Sequence, residues 1–100
     1  MNYRLIYDPI ATLEYKAAAN WYAERSEAAA SKFAREVTRT ISIICSDPFR
    51  YRNTYRNYRE TSLRKFPYSI IYFVDEAGKI LIIQSVFHHK RNPRKKYKKK

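Results

Sequence analysis

Residues 69–89 read SIIYFVDEAGKILIIQSVFHH, and this stretch decides the fold. It contains two runs of apolar, β-branched and aromatic residues, 69–74 and 79 to 88 or 89, on either side of Asp75-Glu76-Ala77-Gly78. Such runs are typical of strands, and a glycine in the connection suits a hairpin turn because it tolerates positive φ. We therefore predict a β-hairpin. Its nearly continuous apolar character is typical of strands that are central or covered on both faces.

Two helices are predicted before this hairpin, and the first begins at Asp8-Pro9. The aspartate can cap free backbone amides, and the proline suits the first helical position because it lacks an N–H. We predict a helix over residues 9–25. Its apolar residues follow one another at spacings of three and four, which predicts a buried stripe. The stripe consists of Ile10, Leu13, Ala17 and Trp21, with Ala18 beside it.

The second predicted helix covers residues 27–46. Ser26 is its predicted cap, and Asp47-Pro48 ends it because the residue before a proline disfavours helix. Its apolar stripe is better separated from the charged residues than that of the first helix, and it consists of Ala30, Phe33, Ala34, Val37, Ile41 and Ile44. Because the connection between the helices is very short, they are predicted to form an antiparallel helical hairpin.

Two shorter strands complete the predicted order of elements. Residues 3–7 form one before the helices and residues 58–66 form the other, while residues 49–57 have no clear period and are interpreted as a loop. The order is β-α-α-β-β-β, followed by a basic C-terminal tail. We predict one α+β domain in which the helical hairpin packs on one face of a small antiparallel β-sheet. The N-terminal β-strand is predicted to join an edge of that sheet.

The formal net charge of +12 is concentrated at the C-terminal end of the chain. Lys and Arg number 21 against nine Asp and Glu, and residues 88–100 carry eight of the basic residues and none of the acidic ones. This distribution favours attraction to an anionic partner, which could be nucleic acid, the ribosome, an acidic protein or an anionic membrane. A solubilising tail is the alternative interpretation.

The composition excludes several classes of site. A single glycine, Gly78, excludes Gly-rich phosphate loops, and a single cysteine, Cys45, excludes a disulfide scaffold or a zinc site built on cysteine pairs. His88 and His89 are adjacent, which is poor spacing for metal ligands. We therefore predict no metal and no cofactor. The longest nearly apolar run, residues 80–87, is far shorter than the roughly 20 residues of a spanning helix, so no membrane role is predicted and the cytoplasm is the expected location.

Two adjacent histidines and a basic-aromatic stretch are the candidate functional residues. A histidine can transfer a proton near neutral pH, but neighbours on a strand point to opposite faces, so His88 and His89 are not expected to share a site. Residues 50–59 interleave arginine with tyrosine, which can bind phosphate and stack on bases. The other cations that could complete a phosphate-binding surface are Arg64, Lys65, Lys90 and Arg91. The alternative is that these arginines are solvated and the tyrosines cover the edge of the core.

Several short motifs occur in an order that resembles a known family. They are Asp8-Pro9, Trp21-Tyr22, Asp47-Pro48, Tyr58-Arg59, Phe66-Pro67-Tyr68-Ser69-Ile70-Ile71-Tyr72 and Val86-Phe87-His88-His89-Lys90-Arg91-Asn92-Pro93. In this order, and in a chain of this length, they resemble the RelE/ParE superfamily of bacterial type II toxins, and its ParE branch more closely. Because the resemblance ends at about Pro93, we expect a toxin domain in residues 1–93 and an appended basic tail in residues 94–100.

The resemblance implies a toxin that a cognate antitoxin neutralises in a hetero-oligomer, with the antitoxin's C-terminal segment wrapped around the toxin's sheet and grooves. ParE-type members are associated with poisoning DNA gyrase, and RelE-type members with cleaving mRNA in the ribosome. RelE-like nucleases commonly carry an arginine where this chain has Ser69, and some carry a tyrosine where it has His89. The missing guanidinium favours the ParE-type activity.

The first hypothesis is accordingly a ParE-like toxin that contacts DNA gyrase and is not itself an enzyme. The residues predicted to contact the target are Arg59, His88, Lys90 and Arg91, with the tail.

The second hypothesis is a metal-independent endoribonuclease that acts on mRNA in the ribosome. In that case Arg59, Arg64 and Lys65 would stabilise the phosphate, and His88 or His89 would transfer a proton. The third hypothesis is a small nucleic-acid-binding protein. Its affinity would come from the tail and would fall steeply with salt.

Overall fold

A computed structural model describes residues 3–91 of the 100-residue chain. The elements in chain order are β1 (Arg4–Tyr7), α1 (Pro9–Arg25), α2 (Glu27–Ser46), β2 (Asn53–Tyr55), β3 (Tyr58–Ser62), β4 (Tyr68–Asp75) and β5 (Ile80–His88). The N-terminal strand, the helical hairpin and the apolar β-hairpin therefore lie where the sequence predicts them. The predicted basic tail, residues 94–100, lies outside the described residues.

Side-chain caps account for the tight helical hairpin. The carboxylate of Asp8 accepts a hydrogen bond from the N–H of Ile10 at 2.8 Å and so begins α1. At the other end of α1, the N–H of Ser26 donates to the carbonyl of Tyr22 at 2.8 Å, while its hydroxyl accepts from the N–H of Ala29 at 3.1 Å. Ser26 thus ends the first helix and caps the second, so no separate loop is needed between them.

The five strands form one sheet in the order β1-β5-β4-β3-β2. Three neighbouring pairs are antiparallel, but β1 pairs parallel with β5. Strands β2–β5 form the predicted antiparallel sheet, and β1 joins its edge as predicted but in the parallel direction, so the whole sheet is mixed. A parallel neighbour is possible because β1 and β5 are joined through the helices and the other strands, and not through a tight turn.

Two predicted boundaries are wrong in the region before β4. Residues 49–57, predicted as a loop, contain the edge strand β2, which is too short for a sequence period to reveal. Strand β3 ends at Ser62 rather than at residue 66. The chain turns away because Lys65 has φ of 67°, in the left-handed region, and the N–H of Leu63 donates to the carbonyl of Tyr68 at 2.9 Å.

A β-bulge adjusts the faces of β5. Tyr72 pairs with Ile83 and Ile71 pairs with Ser85, so Gln84 is the extra residue. As a result Ile83 and Val86 lie on the same face and both join the core beneath the helices. A simple alternation along β5 would have placed them on opposite faces.

The main core lies between the helices and one face of the sheet. Its buried members are Ala11, Ala18, Phe33, Val37, Ile41, Ile44, Leu63, Ile70, Tyr72, Leu81, Ile83 and Val86. A smaller cluster of Tyr58, Ile71 and Phe87, with Phe73 against it, covers the other face. Strands β4 and β5 each have two neighbours and contribute to both clusters, which confirms that they are central.

The large residues of the stripe predicted for α2, Phe33, Val37, Ile41 and Ile44, are buried, whereas most of the stripe predicted for α1 faces solvent. Leu13 is 66% exposed and Trp21 is 49% exposed, and Ile10 is exposed as well. Of the residues predicted to be inward, Ala18 is buried, and it faces the sheet together with Ala11. The prediction is wrong here because apolar residues occur around most of α1, so their spacing does not select one face. Neither helix within residues 3–91 has the length and apolar character that crossing a membrane requires.

Candidate functional site

A cleft of about 440 Å³ lies between α1 and the end of β5, and we call it the α1 cleft. The aromatic side chains of Trp21, Tyr22 and Tyr68 line it, together with His88 and Arg91. It therefore combines aromatic surface with two of the residues predicted to contact a target.

Glu14 holds this cleft together from its position on α1. Its carboxylate accepts hydrogen bonds from the hydroxyl of Ser85 at 2.7 Å, the N–H of Val86 at 2.9 Å and Nη1 of Arg91 at 2.6 Å. The side chain of Glu14 is only 16% exposed. Hydrogen bonds to an ionised carboxylate are short and strong, so Glu14 fixes both the bulged part of β5 and the orientation of Arg91.

Glu14 is not among the site residues predicted from the sequence. Its spacing from two buried alanines could have revealed Glu14. It lies three residues after Ala11 and four before Ala18, so all three side chains share one side of α1. A charged residue on that face needs partners in the sheet, and the sequence alone does not identify Ser85 and Val86 as those partners.

His88 lies on the helix-facing side of β5. Its ring packs edge-on against Tyr68, with the ring centroids 4.9 Å apart. The N–H of Lys90 donates to Nδ1 of His88 at 3.0 Å, so Nδ1 is the accepting nitrogen. Lys90 itself is exposed at the rim, next to Arg91.

His89 has different surroundings, as the alternation along a strand predicts. Its Nε2 lies 3.0 Å from the hydroxyl of Ser69, which is buried and also lies 3.3 Å from the hydroxyl of Ser62. The N–H of His89 donates to the carbonyl of Pro67 at 2.9 Å. His89 therefore closes the end of the sheet and does not share a site with His88.

Arg59 holds the segment after α2 against the sheet. Its Nη1 donates to the carbonyl of Tyr51 at 2.6 Å, and its guanidinium lies 4.9 Å from the ring centre of Phe49. Nearby, the hydroxyl of the buried Tyr72 donates to the carbonyl of Pro48 at 2.7 Å. Burial raises the pKa of Tyr72 to about 12, although the charge of Arg59 acts in the opposite direction. Tyr72 is therefore a protonated structural donor at neutral pH.

The remaining predicted cations, Arg64 and Lys65, lie in the loop after β3 and face α2. The N–H of Arg64 donates to Oε2 of Glu36 at 2.8 Å. Neither Arg64 nor Lys65 lines the α1 cleft; both line a separate groove along α2.

The structure thus brings together His88 and Arg91, with Lys90 between them in the chain, and separates them from Arg59, Arg64 and Lys65. Arg59 is opposite Tyr72 on β4, whereas His88 is opposite Tyr68. Tyr72 and Tyr68 are four residues apart, which corresponds to about 13 Å along the strand. Arg59 and His88 also belong to different strands, β3 and β5, which are separated by β4. In this structure the guanidinium of Arg59 is bonded to the carbonyl of Tyr51, so the two side chains do not form one site.

The described residues offer neither a metal centre nor an activated thiol. Within residues 3–91, the structure contains no group of three or more His, Cys, Asp and Glu side chains that could hold a metal ion. Cys45 is a half-buried free thiol on α2, and burial raises its pKa. It therefore stays protonated at neutral pH and is a poor nucleophile.

Comparison with known families gives the class of this protein. Residues 5–93 match the model of the ParE toxin of type II toxin–antitoxin systems, parDE. Because the match spans most of the chain, the chain belongs to the ParE toxin family, and it is a type II toxin. No curated protein matches it closely enough to count as a relative.

Solved structures show the same fold in both branches of the superfamily. The chromosomal ParDE system from P. aeruginosa matches with a TM-score of 0.72 and 17% identity, over 86% of this chain and 95% of that one. The intact E. coli RelBE toxin–antitoxin complex matches with a TM-score of 0.64 and 15% identity, over 90% and 100%. The archaeal RelE–RelB complex from Pyrococcus horikoshii OT3 gives 0.56 and 15%, over 92% and 100%. At these identities the similarity establishes the fold alone.

Proposed function

We propose that this ParE-family toxin acts on DNA gyrase by protein–protein contact, and that the α1 cleft and its basic rim form the contact surface. The rim consists of His88, Lys90 and Arg91. The separation of the candidate nuclease residues is the observation that carries this proposal.

Phosphoryl transfer without a metal needs cations and an acid–base pair within hydrogen-bond reach of one phosphate. In this chain the guanidinium of Arg59 donates to the carbonyl of Tyr51, and the backbone positions of Arg59 and His88 are offset by four residues, about 13 Å, along the sheet. Ser69 is buried and lies within hydrogen-bond distance of His89. This geometry supports binding to a protein target in preference to cleavage of RNA.

The exposed surface of α1 suits a protein target. Leu13, Ala17 and Trp21 follow one another at a spacing of four and all face solvent, next to the α1 cleft and its cations. Tryptophan and arginine are the side chains most often found at the energetic centre of protein interfaces. An apolar centre with a basic rim is therefore the arrangement that a partly acidic protein surface would complement.

A cognate antitoxin is the second proposed partner. The similar P. aeruginosa and E. coli structures are toxin–antitoxin systems, and this chain shares their fold. Its net charge of +12 would favour fast association with an acidic antitoxin segment, since complementary charge steers encounter.

The test is inhibition of gyrase supercoiling by the purified chain, with relaxed plasmid and ATP, over a range of toxin concentrations. We expect inhibition by the wild type. We expect Trp21→Ala and Lys90→Ala each to raise the half-inhibitory concentration, by about 10- to 30-fold for the tryptophan, which corresponds to an interface residue of central importance. Arg4→Ala is the matched control for Lys90→Ala, because Arg4 pairs with Ile80 at the opposite end of β5.

Two results would overturn the proposal. One is full supercoiling activity at every toxin concentration. The other is ribosome-dependent mRNA cleavage that His88→Ala abolishes, which would assign the α1 cleft to catalysis.

A further inference from the structure

A wide groove runs along the solvent side of α2, and we call it the α2 groove. Its volume is about 1190 Å³. Five cationic side chains line it: Lys32, Arg35 and Arg39 from α2, and Arg64 and Lys65 from the loop after β3. Within residues 3–91, Glu36 is the one acidic residue that lines it.

The three cations on α2 form a regular row. Lys32, Arg35 and Arg39 occupy positions i, i+3 and i+7, which lie on one side of a helix. The row extends over about 10 Å at the rise of an α-helix. The opposite side of α2 is the buried stripe that includes Phe33, Val37 and Ile44, so the row faces away from the core.

Glu36 joins the two walls of the groove. Among the described residues it balances only one of the groove's five positive charges. Its carboxylate accepts from Nε and Nη2 of Arg39 at 2.9 and 2.7 Å, and from the backbone N–H of Arg64 at 2.8 Å. The loop is therefore attached to α2 through a main-chain group, and Glu36 does not neutralise the guanidinium of Arg64. Next to it, Lys65 has φ of 67°, a strained conformation for a residue with a side chain, and such strain is often found at functional sites.

The chemistry of the lining favours the backbone of a duplex over other anionic partners. Among the described residues of the lining Phe66 is the one aromatic residue, and its ring packs against Tyr22 and Phe33 in the core. Proteins that bind single-stranded nucleic acid need exposed rings on which bases stack, and the lining lacks them. Alanines occupy positions 28, 29 and 34, which keep the surface between the cations shallow and offer no deep apolar pocket to anchor a peptide.

We propose that the α2 groove binds the phosphate backbone of duplex DNA without reading its sequence. A regular row of lysine and arginine next to a second cationic segment matches a regular line of phosphates, and such contacts carry no base specificity. This inference does not depend on the contact with gyrase, because it concerns a different surface and is tested in the absence of gyrase.

The test is fluorescence anisotropy of a labelled 20-base-pair DNA duplex of mixed sequence, titrated with the full chain at several salt concentrations between about 50 and 200 mM. We expect Lys32→Ala/Arg35→Ala to weaken binding about 10- to 100-fold at 0.1 M salt. The slope of log K against log salt should become shallower by about 1.8, since each phosphate contact contributes about 0.9.

The matched control is Arg4→Ala/Lys79→Ala, which lowers the net charge by the same two units at the far end of the sheet. We expect its slope to stay within about 0.5 of the wild-type value, because removed charges that touch no phosphate release no counterion. Circular dichroism melting confirms that both variants are folded.

Three outcomes would overturn the proposal. The groove variant could show the same slope as the control, which would leave the duplex bound elsewhere. A single-stranded RNA of equal length could bind more tightly than the duplex and respond to the groove variant. A polyglutamate peptide could displace the duplex at equal concentration of charge, which would assign the groove to an acidic protein.

Discussion

The two helices lie on the same face of the sheet, yet they are oriented by different forces. Helix α2 turns its large apolar side chains inward, and Phe33 and Ile44 are completely buried. Helix α1 turns Ala11 and Ala18 inward and leaves Leu13 in solvent. The hydrophobic effect alone orients a helix only where its apolar residues occupy one side, and α1 does not meet that condition.

Polar contacts, small residues and two tyrosines, Tyr15 and Tyr22, which pack on Phe33 of α2, together fix the orientation of α1. The carboxylate of Glu14 accepts hydrogen bonds from Ser85 and Val86 of β5, and these bonds would be lost if the helix rotated. Ala11 and Ala18 on either side allow the helix to approach the sheet closely enough for those bonds to form. The result is two outward surfaces of different character, an apolar one on α1 and a basic one on α2.

The largest effect that tests this comparison is expected from Phe33→Ala in α2. The ring of Phe33 packs against Tyr15, Tyr22, Phe66 and Tyr68, with centroid separations between 5.1 and 5.7 Å. We expect the substitution to lower the free energy of unfolding by about 3–5 kcal/mol, a large part of the stability of a small domain. Urea denaturation followed by circular dichroism measures it.

Phe49→Ala is the control for that experiment, because the same atoms are removed from a half-exposed ring whose recorded partner is the guanidinium of Arg59. Its expected cost is about 1 kcal/mol or less. Equal losses from the two variants would show that the rings around Phe33 do not form the centre of the core.

The elements of the fold are predicted well because local chemistry determines them. The spacing in α2, the caps at Asp8 and Ser26, and the β-hairpin all follow from residues that are near one another in the chain. The residue with positive φ at the hairpin turn is Lys79, at 55°, and not Gly78 as predicted. The direction of β1 and the bulge at Gln84 depend on pairing between distant segments. No local pattern carries that information, so both are learned from the structure.

The candidate site follows the same rule. The opposite directions of His88 and His89 follow from the alternation along a strand, and the structure confirms them. The contact of Glu14 with Arg91 joins residues 77 positions apart. Helix spacing places Glu14 beside Ala11 and Ala18, but only the packing of α1 on β5 reveals its three partners.

A second, intermediate effect is expected from Glu36→Gln, which tests how the outward side of α2 is organised. Hydrogen bonds from Arg39 lower the pKa of Glu36 to about 2, with a further contribution from the N–H of Arg64. The folded pKa is below the ordinary value of 4.5, so the stabilisation is complete above about pH 4.5 and is lost as the pH falls towards 2. We expect about 1–2 kcal/mol, because water reaches part of the carboxylate and screens it.

Urea denaturation at pH 5, 4 and 3 distinguishes this role. The Glu36→Gln variant should start less stable and should lose less stability on acidification than the wild type. Glu24→Gln is the control, since Glu24 is largely exposed and its recorded contact is with Arg25 at 3.7 Å. Parallel pH curves for Glu36→Gln and the wild type would contradict the assignment of the lowered pKa to this group.

The smallest effect is expected from Leu13→Ala, and it is the most direct test of the orientation of α1. Leu13 is exposed and alanine is the best helix former, so we expect the free energy of unfolding to change by no more than about 0.5 kcal/mol. If gyrase inhibition weakens while stability stays constant, the apolar side of α1 acts on the target and not on the fold. A loss of about 2 kcal/mol or more is the cost of removing a buried leucine, and it would show that α1 is oriented by its large apolar residues just as α2 is.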